Sequence, residues 1–368
     1  MPFIFPWSHP LYAISAFLLG ACVGSFLNVV IYRLPRGLSV NEPKRSFCPK
    51  CKYQIPMSQN IPLVTWLIQR GKCASCKGSI PVRYFLVELL TALVWVGCWY
   101  WFDHPGVAFF WMVISSILIV ITAVDAELMV IPRELTITGT VIALLGAALM
   151  PTELMGEAIW WRGLLKAGFG LALGWCGLWA IVLLGKVMFG SRKFEFTEEV
   201  EWMLKEPVED DEELCYVING ESIGWSDIFF RKTDKLVMNE VGVIRVDGVE
   251  RKVQEVVIHD NHVIVDGERL DIENLKSLDG TVKKAVIPRE AMGMGDVDLL
   301  GMLGACMGAV ALLPVIFIAC IFSLLLALVA QVGLGKHMPF GPSIIFGAVV
   351  WVLCGPQLVD LYLKMMGL

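Results

Sequence analysis

The stretch GVAFFWMVISSILIVITAV, residues 106–124, is nineteen residues without a charge, and it ends against Asp125. A helix needs ~20 such residues to cross the hydrocarbon core of a bilayer. A second long apolar run, residues 164–185, reads the same way with Lys166 as its one charge. The composition agrees. Of 368 residues, 56% are hydrophobic and 18% charged, with mean hydropathy +0.66, whereas soluble proteins average about 25% charged and 45–50% apolar. A soluble enzyme is excluded. The fold class is an all-α polytopic membrane protein with about eight transmembrane helices, a cytoplasmic four-cysteine zinc loop and an inserted small β-rich soluble domain.

Working outward from that stretch, hydropathy places spans near residues 11–32, 84–102, 106–124, 135–150, 164–185, 297–313, 314–334 and 344–363. The sixth and seventh are split because Leu299 to Leu334 as one helix would measure ~54 Å, well beyond the ~30 Å core. Pro314 is the expected break. No Lys or Arg precedes Leu11, so the pattern of a cleavable signal peptide is missing and the first span reads as an anchor. The net charge of −5 matters less than its segregation. Arg33 to Arg83 holds ten Lys/Arg and one acid, Glu42; residues 186–290 hold fifteen Lys/Arg and twenty-four Asp/Glu. The basic loop belongs in the cytoplasm by the positive-inside bias. With the first span running inward, residues 33–83, 125–134, 186–296 and 335–343 all face the cytoplasm.

The expected organisation is therefore a first span (1–32), a cytoplasmic zinc-binding loop (33–83), spans two to five (84–185), an inserted cytoplasmic β-rich domain (186–290) and a final segment with spans six to eight (291–368). Within the insert, Val241 to Val246 and Glu255 to Val265 alternate, and Asn219-Gly220, Asp247-Gly248 and Asp266-Gly267 are hairpin turn signals. The acid cluster Glu209 to Glu213 reads as a solvated linker rather than a calcium loop. His259 and His262 flank Asp260-Asn261 and read as turn neighbours rather than metal ligands.

Cys48, Cys51, Cys73 and Cys76 form two C-x2-C pairs 21 residues apart inside the basic loop. Two such turns converge four thiolates into the tetrahedral sulfur shell that zinc accepts, with no position left for water. Two disulfides are the competing reading, which a reducing cytoplasm disfavours. The metal is thus expected to fold the loop rather than do chemistry. Cys22, Cys98, Cys176, Cys215, Cys306, Cys320 and Cys354 read as small apolar packing residues.

Asp125 and Asp296 stand at membrane borders, where ionisable groups are costly and usually functional. The third span runs inward and the sixth outward, so both carboxylates reach the same cytoplasmic boundary. Two adjacent carboxylates share one proton, and the charged member activates water while the protonated one polarises a carbonyl. Gly293 and Gly295 leave the main chain beside Asp296 open to an extended peptide. Read alone, Gly293-Met294-Gly295-Asp296 also fits a helix start capped by Asp296, and Asp125 a charge that stops a span. Their shared side, with the zinc loop on it, points to catalysis.

These residues carry a family resemblance. Val23-Gly24-Ser25-Phe26-Leu27-Asn28-Val29-Val30-Ile31-Tyr32-Arg33, the paired cysteines around Asn60-Ile61-Pro62, Arg83-Tyr84 and Val87-Glu88-Leu89-Leu90-Thr91 resemble the bacterial type IV prepilin leader peptidase/N-methyltransferases. Asp125 with Leu128, Ile131-Pro132 and Leu135-Thr136 is similar to that family's first catalytic segment, Gly293 to Asp296 to its second, and Pro339-Phe340-Gly341-Pro342 to its loop before the last span. The resemblance implies an inner-membrane aspartic peptidase of the GxGD type with Asp125 and Asp296 as the catalytic pair. It implies cleavage, on the cytoplasmic side, of the basic leader of prepilins or pseudopilins after a glycine. It further implies N-methylation of the new amino terminus with S-adenosylmethionine. The implied partners are the prepilin helix and the lipid bilayer, not nucleic acid; no motif marks the methyl-donor site.

Two positions depart from the family pattern. Asp298 stands where the family usually has Lys, and Arg133 replaces a frequent acid after Pro132. By the helical period Asp298 lies about 200° from Asp296, so it is expected to face elsewhere, as a rival carboxylate. The insert is also unusual for the family; gating of the active site and a passive graft are both open. Peptidase activity without methylation, and a proton-coupled carrier, remain the competing functions. No inverted repeat with matching broken helices supports the carrier.

Overall fold

The computed structural model describes residues 10–43, 46–48, 50–56, 59–189, 191–205, 214–229, 234–288, 293–330 and 338–366. The chain divides into two compact units, one of residues 1–179 with 294–368 and one of residues 180–293. The helices in chain order are α1 (Pro10–Arg33), α2 (Val64–Ile68), α3 (Val82–Trp101), α4 (Pro105–Leu128), α5 (Arg133–Leu149), α6 (Pro151–Met155), α7 (Trp160–Phe189), α8 (Trp225–Ile228), α9 (Met294–Met307), α10 (Leu312–Val329) and α11 (Gly341–Met366).

Small residues set the packing of the first unit. A side chain at Gly20 would meet Ala92 Cα at 2.9 Å, and one at Gly24 would meet Glu88 Cα at 2.7 Å, so α1 and α3 lie antiparallel with their backbones nearly touching. Trp95 of α3 donates to Ser116 Oγ of α4 at 3.0 Å, and Arg83 pairs with Glu127 one helix length away. Leu27, Val30, Ile31, Val87, Val120 and Val124 close the core of this three-helix wall.

Among the described residues six segments are long and apolar enough to cross a membrane: Pro10–Arg36, Val82–Trp101, Pro105–Leu128, Trp160–Lys186, Ala309–Val329 and Gly341–Met366. Bare apolar side chains such as Leu313, Phe317 and Val329 cover their outer faces, as lipid contact requires. The eight expected spans are thus six by length. At 17 and 14 residues, α5 and α9 reach only ~26 and ~21 Å at 1.5 Å per residue. The reason for α9 is its surroundings. Val297, Leu299, Met302, Leu303 and Ala305 are buried on every side of it, Gly139 of α5 admits Met302, and Gly170 of α7 faces the backbone of Gly304. The break in the long apolar run also differs from the expected Pro314. Gly308 adopts a left-handed φ of +77°, a turn of 3-10 helix covers Ala309–Ala311, and Pro314 falls in the first turn of α10, where its missing N–H costs nothing.

The second unit contains one antiparallel sheet: β1 (Ser191–Lys205), β2 (Cys215–Ile218), β3 (Glu221–Gly224), β4 (Leu236–Val246), β5 (Val249–Arg251), β6 (Glu255–Ile258), β7 (His262–Val265), β8 (Glu268–Asp271) and β9 (Leu278–Pro288). The order is β3-β2-β1-β9-β4-β6-β7-β8, with β5 beside β4. The inward faces of β1, β2 and β4 bury Trp202, Tyr216, Met238 and Ile244 together. Asn219-Gly220, Asp247-Gly248 and Asp266-Gly267 all take positive φ at the hairpin tips. The run Glu255 to Val265 is two strands rather than one. His259 donates its amide to His262 O at 2.8 Å across the Asp260-Asn261 tip, and the two rings stack at 4.5 Å. The acid cluster Glu209 to Glu213 lies outside the described residues.

Candidate functional site

Asp125 sits one turn before the end of α4, which stops where Met129 turns left-handed and donates its amide to Asp125 O. Its side chain is 4% exposed and accepts the backbone N–H of Gly341 at 3.0 Å. That amide is free because it lies at the amino end of α11, where no carbonyl precedes it in the helix. Asp296 occupies the first turn of α9, within the helix rather than at the capping position, and its neighbour Gly295 packs against Ile131, which also lies against Gly341 beside Asp125. Residues 171 positions apart in sequence are thus linked through the neighbourhood of Ile131 and Gly341.

The glycines serve packing inside the protein. At Gly295 a side chain would strike Ile131 Cβ at 2.7 Å, and at Gly341 it would strike Asp125 Oδ2 at 2.6 Å. Gly295 therefore lets the start of α9 press on the α4–α5 connection, rather than leaving a gap for peptide. Gly293 is exposed just before α9. Asp298 points away from the pair: Trp175 of α7 donates to its Oδ1 at 2.8 Å, and Arg133 of α5 approaches its Oδ2 at 3.5 Å. The two departures from the family pattern are therefore one ion pair.

Cys48, Cys51, Cys73 and Cys76 converge, with all four sulfurs within 4.8 Å of one another and with Cys48–Cys76 and Cys51–Cys73 separations of 3.9 and 4.0 Å. The edge of a sulfur tetrahedron around a cation 2.3 Å away is ~3.8 Å, so the set fits a metal site. The two halves are built alike. Lys52 donates its amide to Cys48 O at 2.8 Å and Lys77 to Cys73 O at 3.0 Å, both lysines with positive φ. Short bridges Phe47–Gln54 and Lys72–Ser79 close each knuckle. Amides of Cys76 and Ser75 bring the Cys73 thiol down to about 7, and the Tyr53 amide lowers Cys51. Such amides favour the thiolate that a metal needs.

Of the other cysteines, Cys306 is buried and packs as expected. Cys22, Cys176, Cys320 and Cys354 instead lie on exposed helix faces, because the outer surface of an apolar bundle is itself apolar. Sequence reading missed the Gly341 amide as a partner of Asp125. The signal was present in Pro342, whose ring enforces the helix start at that point. Glu88 was likewise read only as a motif letter; it is 9% exposed and accepts the Leu63 amide at 2.7 Å.

The description Bacterial Peptidase A24 N-terminal domain matches residues 18–102. Relatives named prepilin leader peptidase/N-methyltransferase include one from Myxococcus xanthus, 41% identical over 41% of this chain and 46% of its own length. Another, from Neisseria gonorrhoeae, is 32% identical over 50% of this chain and 68% of its own length, and one from Aeromonas hydrophila is 34% identical over 52% and 71%. No solved structure matches. At these identities and coverages the chain belongs to the prepilin leader peptidase/N-methyltransferase family.

Proposed function

We propose that this protein is an inner-membrane aspartic endopeptidase that removes the leader peptide of type IV prepilins or pseudopilins and then N-methylates the new amino terminus with S-adenosylmethionine. The observation that carries the reading is the packing of Ile131 against both Gly295, next to Asp296 at the start of α9, and Gly341, whose amide bonds Asp125 at the end of α4. Two carboxylates that share a proton supply both the base that activates water and the acid that polarises the scissile carbonyl. Exposed Leu128, Met129 and Val130 beside Asp125 offer an apolar landing for a pilin helix at the water boundary.

The same reading gives the chain its orientation. The aspartates face the cytoplasm with the basic loop, and the segment that contains the sheet, residues 186–290, is a cytoplasmic graft. Helix directions support it: α9 runs parallel to α5, by the pairs Ile131–Gly295 and Gly139–Met302, and antiparallel to α7, by Gly174–Leu300 and Gly170–Gly304. The eight-span alternation of this reading takes α5 and α9, of 17 and 14 residues, as short crossings beside the six long ones. The ion in the four-cysteine site is zinc, because four soft thiolates in tetrahedral array are its preferred shell. It supplies folding energy to the loop rather than a reactive centre. The relatives' names join both activities, which favours the bifunctional enzyme over a peptidase alone.

The test is a synthetic prepilin incubated with the purified protein, with and without S-adenosylmethionine, and the products read by mass. The expected products are the mature pilin alone without the donor and its methylated form with it. An uncut substrate overturns the peptidase reading; a cut but unmethylated product overturns the second activity.

A further inference from the structure

The short helix α2 (Val64–Ile68) sits in the paired-cysteine loop and turns apolar side chains outward. Leu67 is 57% and Ile68 77% exposed, and Ile61 and Val64 are exposed beside them. A contiguous apolar patch in an otherwise basic loop marks an interaction surface. The level at which α2 sits says what covers it.

Two contacts fix that level along α3. Trp66 packs on Phe85 with ring centroids 5.2 Å apart, and the Leu63 amide donates to Glu88 Oε2 at 2.7 Å. Phe85 and Glu88 lie three and six residues past Val82, the first residue of α3. At 1.5 Å per residue the two contacts stand ~4.5 and ~9 Å inside the start of that helix. With 20 residues, α3 is just long enough for the ~30 Å hydrocarbon core, so its start lies at the core's border. The start of α2 therefore lies at acyl-chain depth, within the roughly 5–10 Å at which interfacial helices bury their apolar faces. Beside it α3 exposes Val82, Leu86 and Leu90, so the patch continues the lipid-facing surface of the spans.

The backbone meets the demand of that depth, where polar groups of the chain must find partners inside the protein. The Ile61 amide donates to Thr65 Oγ1 at 3.1 Å, the Leu63 amide to Glu88, the Val64 amide to Pro62 O at 2.7 Å and the Thr65 amide to Ile61 O at 3.1 Å. Pro62 has no N–H to satisfy. On the way out, Arg70 and Gly71 both take positive φ and fold the chain back over Trp66, where a side chain at Gly71 would meet Cζ2 at 2.9 Å. The charge changes at the same point. Exposed Arg70, Lys72 and Lys77 follow the apolar face, and Arg33 to Arg83 holds ten Lys/Arg against the single acid Glu42. Anionic headgroups complement a loop of this kind at the membrane surface.

We propose that the paired-cysteine loop is seated in the lipid: α2 places Ile61, Val64, Leu67 and Ile68 among the acyl chains at this end of the helices, and the basic residues after it bind anionic phospholipid headgroups. The occupant of the patch is the bilayer itself, not a second protein. The seat holds the four-cysteine set at the membrane surface, because Cys73 follows Gly71 by two residues and the chain between them has no slack. The inference rests on α3 crossing the membrane and on nothing in the peptidase or methyltransferase chemistry, so it stands or falls apart from them.

The test uses the full-length protein in vesicles of phosphatidylcholine, with and without phosphatidylglycerol, each containing a trace of phospholipid with a photoactivatable diazirine in its acyl chain. Labelled peptides of the wild-type protein are mapped by mass, which needs no variant. Bare Leu313 and Phe317 of α10 report that labelling has worked. The expected result is label on residues 61–68 as well as on α10, with roughly threefold more on 61–68 when phosphatidylglycerol is present. The double variant Arg70→Gln with Lys72→Gln should lose that increase while α10 labels as before. Label on α10 with none on residues 61–68 overturns the insertion of α2. Equal labelling of 61–68 in both lipids, or an increase that survives in the double variant, overturns the headgroup contact.

Discussion

The backbone amide of Gly341 donates to Asp125 Oδ2 at 3.0 Å, tying the amino end of α11 to a carboxylate 216 positions earlier in the chain. The contact engages one carboxylate oxygen of Asp125, and it depends on a residue without a side chain. A Cβ at Gly341 would stand 2.6 Å from the same oxygen. Gly341→Ala is therefore expected to displace the carboxylate and cost about 1.5–3 kcal/mol of its alignment, the worth of a charged hydrogen bond. Leader cleavage should fall roughly 10- to 100-fold in kcat/KM. Unchanged turnover in Gly341→Ala would remove Gly341 from the machinery.

Asp298 is the rival carboxylate, and its partners argue against a chemical role. Trp175 and Arg133 hold it from the α7 and α5 sides. Asp298→Asn retains the bond from Trp175 and loses only a weak, largely exposed ion pair worth about 0.2–1 kcal/mol. Cleavage should stay within about threefold of wild type. A loss as deep as that of an active-site aspartate would move the assignment from Asp296 to Asp298. The charge-swapped pair Arg133→Glu with Asp298→Lys should recover part of the stability that either single change costs, read as melting temperature.

The four-cysteine site predicts one zinc per chain by elemental analysis. Cys48→Ser or Cys73→Ser each removes one of four thiolates and should release the metal, since structural sites of this kind bind as a unit. Proteolysis of residues 46–79 should then accelerate at least tenfold. A wild-type protein that contains no metal would contradict this part of the account.

Gly24 tests the helix wall. Any side chain there meets Glu88 Cα at 2.7 Å, and overpacking of this kind costs about 1–3 kcal/mol. Gly24→Val should lower the melting temperature by several degrees and disturb Glu88. An unchanged melting temperature would mean that α1 and α3 are not in contact there.

Much of this was legible in the sequence. The uncharged run before Asp125, the two C-x2-C pairs and the Asn-Gly and Asp-Gly turns each encode local geometry, so their structural counterparts appear where expected. What escaped was non-local. Hydropathy sees that α9 is apolar but cannot see that other helices enclose it on all sides, so a short, protein-enclosed helix reads like a full-length lipid-facing span. Asp298 and Arg133 looked like two separate anomalies because nothing in either segment shows that they meet. Gly295 looked like an opening for substrate because its neighbour, Ile131, lies 164 positions away.

The central claim is that Asp125 and Asp296 act as one unit. The most direct measurement is cleavage of a synthetic prepilin by Asp125→Asn and Asp296→Asn, each at wild-type protein level. General acid–base partners contribute about 10²–10⁴-fold, so each variant should lose at least a hundredfold, and the double variant little more than either single. Substantial cleavage by either single variant, or losses that simply multiply in the double, would contradict the account.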